Sequence, residues 1–162
     1  MTTTMHIHVR RACQADAAAI SALGSEHYPK AYEEAVESIY EKLKSAKASC
    51  WVATADGYVV GYGLAFPYLL NECCPLTSAA YEEIREPNCT YIHDLCVSAR
   101  FRGLKLARQL VEKIIEANAL PHLALTAVLG SQAFWAQFGF QTARLLEYHG
   151  TPAHYMTRPA KL

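Results

Sequence analysis

No segment of this 162-residue chain stays apolar over the roughly 18 residues that a helix needs to cross a bilayer. Its start, MTTTMHIHVRR, lacks the apolar stretch of about 7–15 residues that marks a secretory leader, so a soluble, cytoplasmic protein is expected. Net charge is missing too, because 15 Lys and Arg balance 15 Asp and Glu. Without a basic field, neither nucleic acid nor an anionic membrane is expected as a partner. Metal-ligand spacing is also absent. Cys13, Cys50, Cys73, Cys74, Cys89 and Cys96 include no Cys-x-x-Cys pair, and two of them are adjacent. The expectation is no metal and no disulfide framework, but free and mostly buried thiols.

What remains is apolar: 52% of residues are hydrophobic and 19% charged, the balance of a compact globule. The length suits one hydrophobic core. No repeat, low-complexity tract or charge block divides the chain, so residues 1–162 read as a single domain. Met5–Arg11 alternates as a strand. Cys13-x-x-Asp16 stands where a capping box sits, before an alanine-rich helix to Leu23. Tyr32, Val36, Ile39, Tyr40 and Leu43 recur at helical spacing and predict a second helix over about 30–46. Ser49–Ala55 and Tyr58–Phe66 are β-prone runs joined by Asp56-Gly57, a type I′ hairpin signal. Pro67–Asn88 is a long irregular connection with a short helix expected around Ser78–Ile84.

Beyond it, Thr90–Val97 reads as a strand, Ser98–Gly103 as a polar turn, and Leu104, Ala107, Leu110, Val111 and Ile114 as a helix. His122–Val128 is a strand, Ser131–Phe138 a short helix closed by Gly139, and 140–147 and 153–158 are terminal strands. This order makes a mixed sheet with helices on both faces. The strand, turn and helix over 91–107 carry the chemistry. A helix start leaves backbone N–H groups unpaired and adds partial positive charge, so it receives phosphate. Arg100, Arg102, Lys105 and Arg108 crowd that start. A plain βα junction with a solvated basic rim would look the same on this fragment alone.

The whole layout resembles the GNAT superfamily of N-acetyltransferases. The family's cofactor signature, (Arg/Gln)-x-x-Gly-x-(Gly/Ala), is matched by Arg102, Lys105 and Ala107 after Leu95-Cys96-Val97. Its Phe-Tyr-x-x-x-Gly-Phe-like run is matched by Phe134-Trp135-Ala136-Gln137-Phe138-Gly139-Phe140. Val9-Arg10-Arg11-Ala12 leading to Ala15-Asp16 resembles its opening, so the likeness spans residues 6–158. It implies a mostly antiparallel sheet of about six or seven strands flanked by about four helices. It also implies acetyl-CoA as co-substrate, a primary amine acceptor, and a family in which homodimers are common.

By the same resemblance, Leu95, Cys96, Val97, Arg102, Gly103, Leu104, Lys105, Leu106, Ala107, Ser131, Phe134 and Trp135 bind the cofactor. Ser131 could equally be a plain helix cap. Lys105 stands where the family has glycine, and we expect it in the first turn of a right-handed helix, unstrained. Trp135 replaces the tyrosine that usually protonates the departing thiolate.

Tyr91 and His93 occupy the places that face the substrate, and they are the catalytic candidates. An alkylamine arrives protonated, and histidine suits proton relay near neutral pH; a structural core histidine is the other reading. Strand alternation puts Tyr91, His93 and Leu95 on one side and Ile92, Asp94 and Cys96 on the other. Asp94 is expected to orient its neighbours, and a backbone N–H near Cys96 or Val97 to hold the oxyanion. The acceptor walls implied are Ser25–Pro29 and 67–88, with Tyr28, Tyr68 and Tyr81 beside Glu26, Glu72, Glu82, Glu83 and Glu86. A small cationic amine would suit them. A protein or peptide amine, or a non-catalytic acyl-CoA-binding module, are the alternatives.

Overall fold

The computed structural model describes residues 3–45, 47–73 and 84–162. Its elements run β1 (Ile7–Arg11), α1 (Ala17–His27), α2 (Val36–Leu43), β2 (Trp51–Ala55), β3 (Tyr58–Tyr68), β4 (Cys89–Val97), α3 (Leu106–Ala117), β5 (His122–Ala127), α4 (Gln132–Ala136), β6 (Gln141–Tyr148) and β7 (Thr151–Pro159). The seven strands form one sheet in the order β1-β2-β3-β4-β5-β7-β6. Only β4 and β5 pair in parallel; every other neighbour is antiparallel. This is the expected mixed sheet with helices on both faces.

Local chemistry explains the entry to the fold. The Asp16 carboxylate accepts the Cys13 N–H at 2.8 Å, the acidic half of the expected capping box. Arg10 grips the same carboxylate with two nitrogens at 2.8 and 2.9 Å. The Arg10 hydrogen bond holds Asp16 below its ordinary value, against the opposing effect of burial. Asp56 and Gly57 both take positive φ, 48° and 87°, as a type I′ turn requires, and Ala55 lies opposite Tyr58.

One expectation needs correction. The helix predicted over 30–46 is broken: a short 3-10 turn at Lys30–Tyr32 is followed by extended backbone at Glu33 and Ala35, and α2 begins at Val36. The break turns Glu34 inward, where its carboxylate accepts Ser38 Oγ at 3.1 Å and an ion pair from Lys42. The buried side of α2 is therefore Ile39 and Lys42, while Tyr40 is exposed. The short helix expected near 78–84 falls, but for its last residue, outside the described residues, as does Cys74. Among the remaining thiols, Cys50, Cys89 and Cys96 are buried, and burial pushes each up to about 12.

The two faces of the sheet carry different helices. Val111 and Ile114 of α3 pack with Trp135 of α4 and with Ala65, Ile92, Leu123 and Leu125. On the opposite face, Ala17, Ile20 and Leu23 of α1 and Ile39 of α2 cover Val52, Tyr62, Leu64 and Phe66. Over residues 61–66, β3 thus offers large side chains to α1 and α2 but Gly61, Gly63 and Ala65 to the face that α3 covers, with the buried Val60 packing on Leu106 and Leu110. Close approach requires this: a Cβ on Gly63 would lie 3.0 Å from Ile114 Cδ1, and one on Gly61 3.2 Å from Val97 Cγ2. Gly63→Val should therefore destabilise the protein by about 1–3 kcal/mol through overpacking, read as a lower midpoint in urea with an unchanged slope. An unchanged midpoint would mean that α3 does not sit this close.

Candidate functional site

Parallel pairing between β4 and β5 runs only from Cys89 opposite His122 to Ile92 opposite Leu125. Beyond that point β4 continues to Val97 along β3, and β5 continues to Ala127 along β7. The two strands therefore part, and a cleft of about 420 Å³ lies between them and the start of α3. Both parting edges are main chain. Ser98 N–H donates to Val60 on β3 at 2.8 Å, so by alternation the N–H groups of Cys96 and Asp94 also point to β3. Those of Val97 and Leu95 point into the cleft.

A bulge resets the side chains at this place. Leu64 lies opposite Asp94 and Ala65 opposite Ile92, leaving His93 as the extra residue. The simple alternation expected for 91–97 is corrected accordingly. His93 meets Phe66 edge-on at 5.9 Å and Asp94 accepts Tyr62 Oη at 2.6 Å, so both share the α1–α2 face with Tyr91. Leu95 and Val97 pack on the opposite side, with Leu106 and Leu110 of α3.

Behind His93 sits a buried ionic cluster that the sequence reading missed. Lys42 Nζ pairs with Glu34 Oε1 and lies 3.3 Å from His93 Nε2, which is 3.5 Å from Glu34 Oε2. The side chains of Lys42, Glu34 and His93 are 1%, 6% and 0% exposed. Burial works to lift the Glu34 carboxyl, but His93 and Lys42 together outweigh it and hold it below its ordinary 4.5. A signal existed: Lys42 falls three residues after Ile39 and beside Leu43, a charge on an apolar stripe. Asp94 goes the other way, raised by burial despite its Tyr62 hydrogen bond. Tyr91 is also raised by burial, and its hydroxyl lies 2.6 Å from Thr126 Oγ1.

Of the expected cofactor residues, the cleft is lined by Leu95, Val97, Arg102, Gly103, Lys105, Leu106, Ala107, Ser131, Phe134 and Trp135. Tyr91 and His93 line it as well. Cys96 and Leu104 do not: the Cys96 thiol faces the Leu23 carbonyl at 4.0 Å, and Leu104 is exposed. Ser131 stands at the N-cap position of α4, but its Oγ donates back to the Val128 carbonyl at 2.8 Å and caps no N–H of the helix. Trp135 is buried, edge-on to Phe134 at 5.0 Å and to Phe140 at 5.8 Å. The acidic walls are corrected too. Glu26, Glu72 and Glu86 are exposed and do not line the cleft, while Tyr81, Glu82 and Glu83 lie outside the described residues. What lines that end instead is aromatic: Tyr28, Tyr32, Tyr91 and Tyr148.

Lys105 departs furthest from expectation. It is not in the first turn of a right-handed helix but is the residue before it, with φ 58° and ψ 28°, the left-handed conformation. Gly103 also has positive φ, 88°. An L-residue in this region costs roughly 1–2 kcal/mol that glycine escapes. The backbone needs a reversal here so that α3 starts facing the cleft, and lysine adopts it at a cost while bringing a cation to the helix start.

Comparison with known proteins gives the family and the fold. A profile described as "Acetyltransferase (GNAT) family" matches residues 17–140. No curated protein matches the chain. Solved structures share the fold at low identity. The loading GNATL domain of CurA from Lyngbya majuscula has a TM-score of 0.79 at 11% identity, covering 96% of this chain and 98% of that one. The diaminobutyrate acetyltransferase EctA from Paenibacillus lautus, in complex with L-2,4-diaminobutyric acid and coenzyme A, has 0.72 at 12%, covering 98% of each. Naa50 from Arabidopsis thaliana, in complex with the bisubstrate analogue CoA-Ac-MVNAL, has 0.70 at 12%, covering 94% and 97%.

Two outcomes are expected. Lys105→Gly should raise stability by about 1 kcal/mol, measured as a higher urea midpoint; a lower midpoint would place Lys105 outside the left-handed region. Glu34→Gln should cost on the order of 3 kcal/mol at neutral pH, since it leaves Lys42 buried without its counter-charge. A lowered folded pKa contributes stability above the unfolded value and loses it as pH falls through the folded one. The deficit of Glu34→Gln relative to the native protein should therefore shrink as pH drops below the ordinary 4.5 of Glu34. A deficit independent of pH would contradict the ion pair.

Proposed function

Because the chain belongs to the GNAT family of acetyltransferases, we propose that it transfers an acetyl group from acetyl-CoA to the primary amine of a small molecule. The observation that carries this reading is the cleft itself. It joins a cationic helix start at one end to a tyrosine-lined end at the other, past the open main-chain edge of β4.

The residues present fit acetyl-CoA. Arg102 and Lys105 stand beside the first N–H groups of α3, where a pyrophosphate is bound by unpaired donors and partial positive charge. The edge formed by Leu95, Cys96 and Val97 faces a wall of Ser131, Phe134 and Trp135, and these would flank the pantetheine arm. When bound, acetyl-CoA supplies an activated acyl carbonyl. The amine nitrogen forms the new C–N bond, the C–S bond breaks, and the ammonium proton has to leave before attack.

This chain's own groups meet those needs. Val97 N–H, aimed into the cleft, is the donor we assign to the developing oxyanion, which takes the place of the less specific expectation at Cys96 or Val97. His93 is the assigned base. Its imidazole is covered, with Glu34 Oε2 3.5 Å and Lys42 Nζ 3.3 Å from Nε2, so in this reading the ammonium proton travels to it by way of a bridging water. Tyr91, kept as a phenol by burial, is a donor beside Thr126. Among the described residues no helix is long and apolar enough to cross a membrane.

The test is acetyl-CoA consumption with a panel of amines, read by release of free thiol. His93→Gln should lower turnover by roughly 10²-fold, the scale for a positioned proton-transfer group, with acetyl-CoA affinity retained. Native turnover in this variant between pH 6 and 9 would remove His93 from the mechanism.

A further inference from the structure

The end of α1 reaches the β4 edge at two points, through neighbouring residues. Tyr28 Oη donates to the Leu95 carbonyl. His27, the last residue of α1, reaches further along the chain, where the Ala99 N–H donates to its Nε2 at 3.0 Å. The two contacts bracket Val97, one before it and one after. Tyr28 lines the cleft and His27 does not, so His27 acts on a bound molecule only through the main chain it holds.

The other nitrogen of this ring, Nδ1, lies 3.0 Å from the Leu23 carbonyl in the same helix. A carbonyl only accepts and a backbone N–H only donates. Nδ1 therefore carries the proton and Nε2 is bare. The Glu26 carboxylate, 3.9 Å from Nδ1, favours the proton on that side as well. Two bonds thus fix the neutral ring in one tautomer and one orientation, its free lone pair aimed at Ala99.

Ala99 opens a short 3-10 turn, Ala99–Phe101. The first N–H groups of a helical turn have no partner inside it, and Ser98, at the capping position, makes no side-chain bond to them. His27 supplies that cap from α1, tying the turn to an element other than the strand and helix it joins. Val97 has its own tie, because the Ser98 N–H is bonded to the Val60 carbonyl and Gly61 lies opposite Val97. The turn that His27 holds leads into Arg102, Gly103 and Lys105, which line the cleft at the start of α3.

Resting on the acetyl-transfer reading above, we infer that His27 is a positioning residue for the cofactor. It holds the turn so that Arg102 and the first N–H groups of α3 are in place before acetyl-CoA arrives. A segment that must be ordered on binding takes up part of the binding free energy. Losing this bond therefore weakens acetyl-CoA and leaves the chemical step alone.

Calorimetric titration with acetyl-CoA tests this on the native protein, His27→Leu and His27→Gln, with turnover read by thiol release. Leucine removes the acceptor, whereas glutamine keeps an amide oxygen at about the reach of Nε2. His27→Leu should weaken acetyl-CoA by about tenfold, the scale of one lost hydrogen bond, and His27→Gln by about threefold or less. The kcat at saturating acetyl-CoA should stay within about twofold of native in both. Nitrogen-15 NMR of the native imidazole, which needs no variant to fold, should show the proton on Nδ1. Unchanged affinity in His27→Leu, an equal loss in both variants, a fall in kcat with affinity retained, or a native ring protonated on Nε2 each overturns the inference. If acetyl-CoA binds but no amine is acetylated, the acetyl-transfer reading fails while the titrations still decide the role of His27. If the native protein does not bind acetyl-CoA, both fall together.

Discussion

Backbone pairing between β4 and β5 stops at Ile92 and Leu125, and most of what distinguishes this molecule follows from that stop. Each strand keeps its outer partner, so neither loses its place in the sheet. The inner edges are left facing one another across a gap instead of bonding. A sheet edge inside a protein is normally closed or covered, since unpaired N–H and C=O groups are costly to bury. Here Tyr28 takes one exposed carbonyl, that of Leu95, and the N–H of Val97 points into the open space. The gap is an internal site made of main chain, which no side-chain substitution can easily erase.

Two local distortions serve this gap, and each has a cost. The bulge at His93 turns that side chain and Asp94 to the same face, which packs His93 against Glu34 and Lys42. Three ionisable groups are thereby buried together, an arrangement whose desolvation cost can exceed its Coulomb gain. What it provides is position, because it ties the segment between α1 and α2, which carries Tyr32, to the strand that borders the cleft. The left-handed Lys105 is the second distortion. It aims the start of α3 at the cleft and sets a cation beside it, in a conformation that glycine would adopt more cheaply. Strain of this kind persists where the surrounding structure over-determines it. The packed α3, with Leu106, Leu110, Val111 and Ile114 all buried, supplies that constraint.

Much of this was legible in the order of residues. Periodicity located all seven strands and both long helices on the α3 and α1 sides, and the Asp56-Gly57 turn announced its hairpin. The candidate cofactor loop was marked by cations at a helix start only together with the family resemblance, and most of its residues line the cleft. The missed features share a cause: each depends on a partner far away in sequence. Alternation along 91–97 could not show a bulge, which is a property of register against β3. Helical spacing over 30–46 joined two segments because Glu34, looking like a surface charge, gave no sign that it turns inward to Lys42 and His93. Lys105 read as an ordinary first-turn residue because backbone handedness there is set by how α3 packs, not by lysine's own preference. The acidic residues of the connecting loops suggested a charged acceptor wall, whereas those described are exposed and the cleft is faced by tyrosines.

The central claim is that the gap between β4 and β5 is where acetyl-CoA binds, with Val97 N–H at the reacting carbonyl. A crystal structure of the acetyl-CoA complex tests it most directly. The account predicts the pantetheine arm between the two strands, the thioester oxygen within hydrogen-bond reach of Val97 N–H, and the pyrophosphate on the turn from Gly103 to Ala107. Continuous parallel pairing of β4 and β5 beyond Ile92, or density for the cofactor elsewhere on the molecule, would contradict it.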